Sequence, residues 1–158
     1  MVRGELLRVA LLPTLMMAGG LGCIDTKTCH NPTAWKLCPG ESAQPGGGGA
    51  PPSIVELALP TCTYAEDATV LGTMRVTDPD GDAAVVKATF FIGARVNESE
   101  IALPDSGRAG NEWSGPLGVQ IMSNGGAASE GTRDVKLKVT DRAGAQSAPY
   151  CNTLTVVK

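Results

Sequence analysis

Asp78, Asp80 and Asp82 stand at alternating positions of the run Val76-Thr77-Asp78-Pro79-Asp80-Gly81-Asp82. Carboxylates this close together are hard oxygen donors, and the ion that takes many such donors is calcium. A helix-flanked calcium loop begun at Asp78 would need Gly at its sixth position and a chelating Glu at its twelfth, where the chain has Ala83 and Thr89. That type of site is excluded. Asp141, in Asp141-Arg142-Ala143-Gly144, is a fourth oxygen donor if its loop lies beside the first. The same residues also make complete turns without metal, with Asp side chains accepting backbone N–H groups, Pro79 fixing φ and Gly81 supplying a positive φ. Both readings stand, and no other cofactor is expected.

Further catalytic chemistry is sparse. His30 is the only histidine and precedes the strand-patterned region, so a Ser-His-Asp or Cys-His relay within that region is not expected. Glu98, Glu100 and Glu112 read as solvated edge charges, and the chain is expected to be no enzyme. Asn97-Glu98-Ser99 has the spacing of a glycosylation sequon. Gly46–Gly49 lacks the preceding strand and following Lys-Ser/Thr of a phosphate loop. With 13 Lys+Arg against 16 Asp+Glu, the chain also lacks the basic excess that binds phosphate backbones, so nucleic acid is not an expected partner.

The five cysteines are an odd number. Residues 1–22 carry Arg3 and Arg8 before an apolar stretch, Val9 to Leu21, interrupted by Pro13 and Thr14. This is the layout of a signal peptide and is too short to span a membrane. Its end, Gly20-Leu21-Gly22-Cys23, resembles the lipobox of bacterial lipoproteins, with Gly20 where that family prefers Leu. The resemblance implies cleavage before Cys23, acylation (palmitate among the chains) of its thiol, and, with Ile24 rather than Asp following, passage to the outer membrane. The alternative is secretory cleavage after Gly20. Acylating Cys23 leaves Cys29, Cys38, Cys62 and Cys151, an even set in an oxidising compartment. Three pairings are open, and proximity with the division into segments favours Cys29–Cys38 and Cys62–Cys151. A metal site at Cys29, His30 and Cys38 lacks a fourth ligand.

Four segments follow: the signal peptide 1–22, an anchored piece 23–40 with a small disulfide loop bearing Trp35, a Gly/Pro-rich flexible tether 41–53, and a domain 54–158. The tether would supply reach. In the domain the apolar residues alternate, which puts them on one face of a strand. Val135, Leu137 and Val139 alternate with Lys136, Lys138 and Thr140. Val70, Gly72, Met74 and Val76 form a second such set, and Val86, Ala88, Phe90 and Ile92 a third. Trp113, Leu117, Val119 and Ile121 share a parity in a segment where Gly115-Pro116 suggests a bulge or an edge strand. Ile54–Leu59, Arg95–Leu103 and Tyr150–Val157 complete seven strands, separated by turn signals at 78–81, 105–107, 124–126 and 141–144. Seven short strands in about 100 residues predict an all-β, immunoglobulin-like sandwich.

The runs Val76–Asp82, Val85–Phe90 and Val139–Ala145 resemble those of bacterial extracellular immunoglobulin-like, cadherin-like and polycystic-kidney-disease-type domains. That resemblance implies a non-catalytic module displayed outside the cytoplasm. The combined expectation is a lipoprotein of the cell envelope, membrane-bound through lipid, that binds an envelope protein or glycan or serves as structural support. The alternatives are a calcium-dependent adhesion module and an accessory domain of an envelope hydrolase.

Overall fold

The computed structural model describes residues 29–67, 69–92, 94–121 and 129–158. The leader, Cys23 and the turn at 124–126 lie outside them. Among the described residues there are eleven strands: β1 Pro32–Ala34, β2 Lys36–Leu37, β3 Ser53–Pro60, β4 Cys62–Tyr64, β5 Thr69–Thr77, β6 Ala83–Ile92, β7 Arg95–Ala102, β8 Arg108–Ala109, β9 Glu112–Gln120, β10 Gly131–Asp141 and β11 Tyr150–Val157. They form two sheets, ordered β1-β3-β5-β9-β8 and β2-β11-β10-β6-β7, with β4 parallel to β11. The chain is an all-β, immunoglobulin-like sandwich. The seven expected strands are β3, β5, β6, β7, β9, β10 and β11.

Alternation explains the core. Met74 and Val76 of β5, Val86 and Ala88 of β6, Leu117 and Val119 of β9, and Leu137 and Val139 of β10 are all buried between the sheets, while Lys136 and Lys138 point away. In β3 the buried parity switches from Ile54 to Leu57 and Leu59, and the register with β5 shifts between Ile54 and Glu56. One extra residue there exchanges the two faces, which is what a bulge does. Gly115-Pro116 makes no bulge: β9 pairs with β5 without a shift, and among the described residues no strand pairs with its other edge beyond Trp113. Pro116 is tolerated because an edge position needs no N–H.

The segment before residue 54 departs from expectation. The bridges run Cys29–Cys62 and Cys38–Cys151, with Cα separations of 4.9 and 5.1 Å, rather than Cys29–Cys38 and Cys62–Cys151. Residues 32–37 cross the open side of the sandwich. β1 pairs with β3 in one sheet and β2 with β11 in the other. Between them Trp35 enters the core at 5% exposure, its backbone N–H bonded to Leu57 O and its Nε1 to Leu59 O. A large apolar side chain between the sheets gains more from burial than a small isolated loop offers, and the two bridges hold it there.

Residues 41–53, expected to be a flexible tether, lie along the domain as a strap. Gln44 and Gln146 exchange backbone hydrogen bonds, Gly47 N–H donates to Ala143 O, and Pro52 is fully buried. The boundary expected at 54 therefore divides elements that pack as one body. His30 too is drawn in: it lies beside Tyr64, and its Nε2 is 2.8 Å from Asp67 Oδ2.

Candidate functional site

One pole of the sandwich gathers the ends of β5, β6 and β10 with the strap. The turn after β5 is built as its residues dictate. Asp80 N–H donates to Asp78 Oδ1 at 2.9 Å, Gly81 N–H donates to Asp78 O, and Gly81 adopts φ +74°. The turn after β10 repeats the device, with Ala145 N–H donating to Asp141 Oδ1 at 2.7 Å. Arg108 braces the first loop by donating to Gly81 O and Ala83 O, while Asn111 Nδ2 donates to Pro79 O. These braces hold the loop against β8 and the β8–β9 turn.

Each capping carboxylate spends one oxygen on its turn and keeps the other. Asp78 Oδ2 and Asp141 Oδ2, on residues 2% and 5% exposed, together with Asp82 Oδ1, are buried and have no hydrogen-bond partner. One oxygen from each of Asp78, Asp82 and Asp141 lies within 4.8 Å of the other two. None of the ion pairs among the described residues involves any of the three. Burial raises the Asp78 pKa above the ordinary carboxylate value, and the charges of Asp82 and Asp141 raise it further; hydrogen bonds from Asp80 and Gly81 partly oppose this. Three negative groups facing one point without a counter-charge is an expensive arrangement.

The geometry suits a divalent cation. Calcium binds oxygens at about 2.3–2.6 Å, so donors sharing one ion lie up to about 5 Å apart. Separations within 4.8 Å fit. Full coordination takes more oxygens than these three supply, so second carboxylate oxygens, carbonyls or water would complete it.

Of the candidate set Asp78, Asp80 and Asp82, the structure brings Asp78 and Asp82 together and turns Asp80 away. Asp80 is exposed, and its Oδ2 accepts from Ala50 N–H of the strap at 2.8 Å. Asp141, the long-range fourth, takes its place. The strap is close because it has no side chain there: a Cβ on Gly49 would stand 2.9 Å from Asp80 Oδ2 and 3.3 Å from Asp141 Oδ2. Alternating spacing in a tight turn does not mean a shared direction, so Asp80 cannot be separated from its neighbours by spacing alone.

Glu98, Glu100 and Glu112 do not meet as a catalytic pair. Glu98 pairs with Lys87 at 2.8 Å, and Glu112 lies 3.5 Å from Arg75 in the other sheet. His30 sits beside Asp67, whose Oδ2 also accepts from Thr63 Oγ1 and Tyr64 N–H.

No protein-family model and no curated protein matches this chain. Among solved structures, the PKD domain of an M14-like peptidase from Thermoplasmatales archaeon SCGC AB-540-F20 is similar at 19% identity and a TM-score of 0.37, over 72% of this chain and 100% of that one. A Niemann-Pick type C2 protein from Japanese carpenter ant is similar at 11% identity and a TM-score of 0.42, over 72% of this chain and 98% of that one.

Proposed function

We propose that this protein is an exported lipoprotein, anchored through Cys23, that holds a non-catalytic immunoglobulin-like domain at a membrane surface for partner binding or structural support. The cysteine arithmetic carries this reading. Cys29 with Cys62 and Cys38 with Cys151 account for four of the five cysteines and leave Cys23, behind an apolar leader, as the fifth. Because Cys29 is clamped to the domain, only residues 24–28 separate anchor from fold. That is a reach of roughly 20 Å at full extension, so the domain would ride close to the bilayer. The acidic site lies at the end of the sandwich opposite the Cys29–Cys62 bridge. Mass spectrometry of the mature N-terminus tests the anchor: an acylated Cys23 supports it, and a free Cys23 thiol or a cut after Gly20 removes it.

A second reading, calcium-dependent adhesion or stabilisation, is supported by the three converging unpartnered carboxylate oxygens. Millimolar calcium is expected to raise the melting temperature by several degrees, because ligand binding to the folded state alone stabilises it. Asp141→Asn is expected to lose most of that response. An unchanged melting curve in calcium rejects this reading.

A further inference from the structure

The inward stripe of β10 runs Arg133, Val135, Leu137, Val139, Asp141, so a buried cation ends it opposite the acidic pole. Arg133 is 4% exposed. Its Nη2 donates to the carbonyl and hydroxyl of Ser129, both uncharged. Its Nη1 has no hydrogen-bond partner, and no ion pair among the described residues includes it. Burial lowers its pKa, yet a guanidinium stays charged at any working pH. A buried charge of this kind calls for an anion.

Arg133 lines a cavity of about 270 Å³ with Phe90, Asn97, Ser99, Gln120 and Ile121. The cavity opens between β7 and β9, where the two sheets part. In the β6–β7 register Phe90 opposes Asn97 and Ala88 opposes Ser99, so these polar residues share the core-facing side. Glu98 and Glu100 also reach the cavity but belong to the opposite face, where Lys87 holds Glu98.

We propose that this cavity binds a small organic monocarboxylate. The planar guanidinium takes the carboxylate, Asn97, Ser99 and Gln120 bond its hydroxyl or amide substituents, and Phe90 and Ile121 cover an apolar face. One cation, with two acids at the mouth, favours a single negative charge over a phosphate or sulfate dianion. The volume falls just under the usual range of about 300–1,000 Å³ for ligand pockets, which suits one sugar ring or one capped amino acid. Sugar acids and N-acyl amino acids share this chemistry.

The disulfide-bonded chain is titrated at low salt with galacturonate, N-acetylalanine, their methyl esters and inorganic phosphate, following the Arg133 Nε–Hε resonance and the melting temperature. One or both acids are expected to bind at about millimolar Kd or tighter, with esters and phosphate at least about tenfold weaker. The preferred acid identifies the source. Arg133→Met is expected to abolish binding without lowering the melting temperature of the ligand-free protein. Should that variant fail to fold, Ser99→Ala and Asn97→Ala on the edge strand carry the test, and unchanged affinity in both overturns the site. No resonance shift at about 20 mM of either acid, or phosphate binding as tightly, overturns it as well.

Discussion

At the scale of single residues, Asp67 and Trp35 show how the N-terminal segment is fixed. Burial pushes the Asp67 pKa up, but hydrogen bonds from His30, Thr63 and Tyr64 outweigh it, and the net direction is below the ordinary 3.8. A carboxylate with a depressed folded pKa stabilises the protein fully above its unfolded pKa, and that contribution is lost as pH falls through the folded value. Acid melts of wild type and Asp67→Asn should therefore differ at neutral pH and converge below about pH 4. A constant difference across that range contradicts the assignment. Trp35→Ala removes a buried indole and its Nε1 hydrogen bond to Leu59 O, and urea unfolding should show a loss of about 3–5 kcal/mol. A loss below about 1 kcal/mol would mean that Trp35 packs on the surface instead.

At the scale of elements, the strap is the test case. Gly46 lies so close to the backbone of Gly144 and Ala145 that a Cβ would overlap it. Gly46→Ala should lift the strap from the β10–β11 loop, costing about 1–3 kcal/mol and opening residues 41–53 to protease in the disulfide-bonded chain. Resistance equal to wild type would place the strap's hold elsewhere. Sequence reading found the long strands because a period of two over five or more residues is a local signal. It missed β1, β2, β4 and β8, which have two or three residues each and owe their strand character to partners far along the chain. It took residues 41–53 for a tether because Gly and Pro report the freedom of an unpaired chain. The hydrogen bonds offered by Gln146, Ala143 and Asp80 are invisible until the fold supplies them.

At the scale of the whole molecule, the two bridges close loops with separations of 33 and 113 residues. In the chain-entropy model these contribute about 4 and about 5 kcal/mol against the unfolded state. The fragment 54–158 lacks Cys29, Cys38 and Trp35, leaving Cys62 and Cys151 unpaired and the side of the core open. Its melting temperature should fall by 10 °C or more relative to residues 29–158, since each kcal/mol moves a domain of this size by about 4–8 °C. Circular dichroism melts of the two fragments check this, and equal midpoints would show the N-terminal segment to be dispensable.

Sequence by itself determined what depends on neighbours within a few residues: the two-residue period of the core strands, the Asp and Gly turns, the odd cysteine count. It also brought Asp78 and Asp82 into consideration for calcium. The tertiary structure alone decided which cysteines pair, that Asp141 joins Asp78 and Asp82 while Asp80 turns to the strap, and that Arg133 faces inward beside a cavity. Each of these depends on groups tens of residues apart meeting in space. Pairing there is set by sheet order and by the fit of Trp35 between the sheets, and no local pattern encodes either.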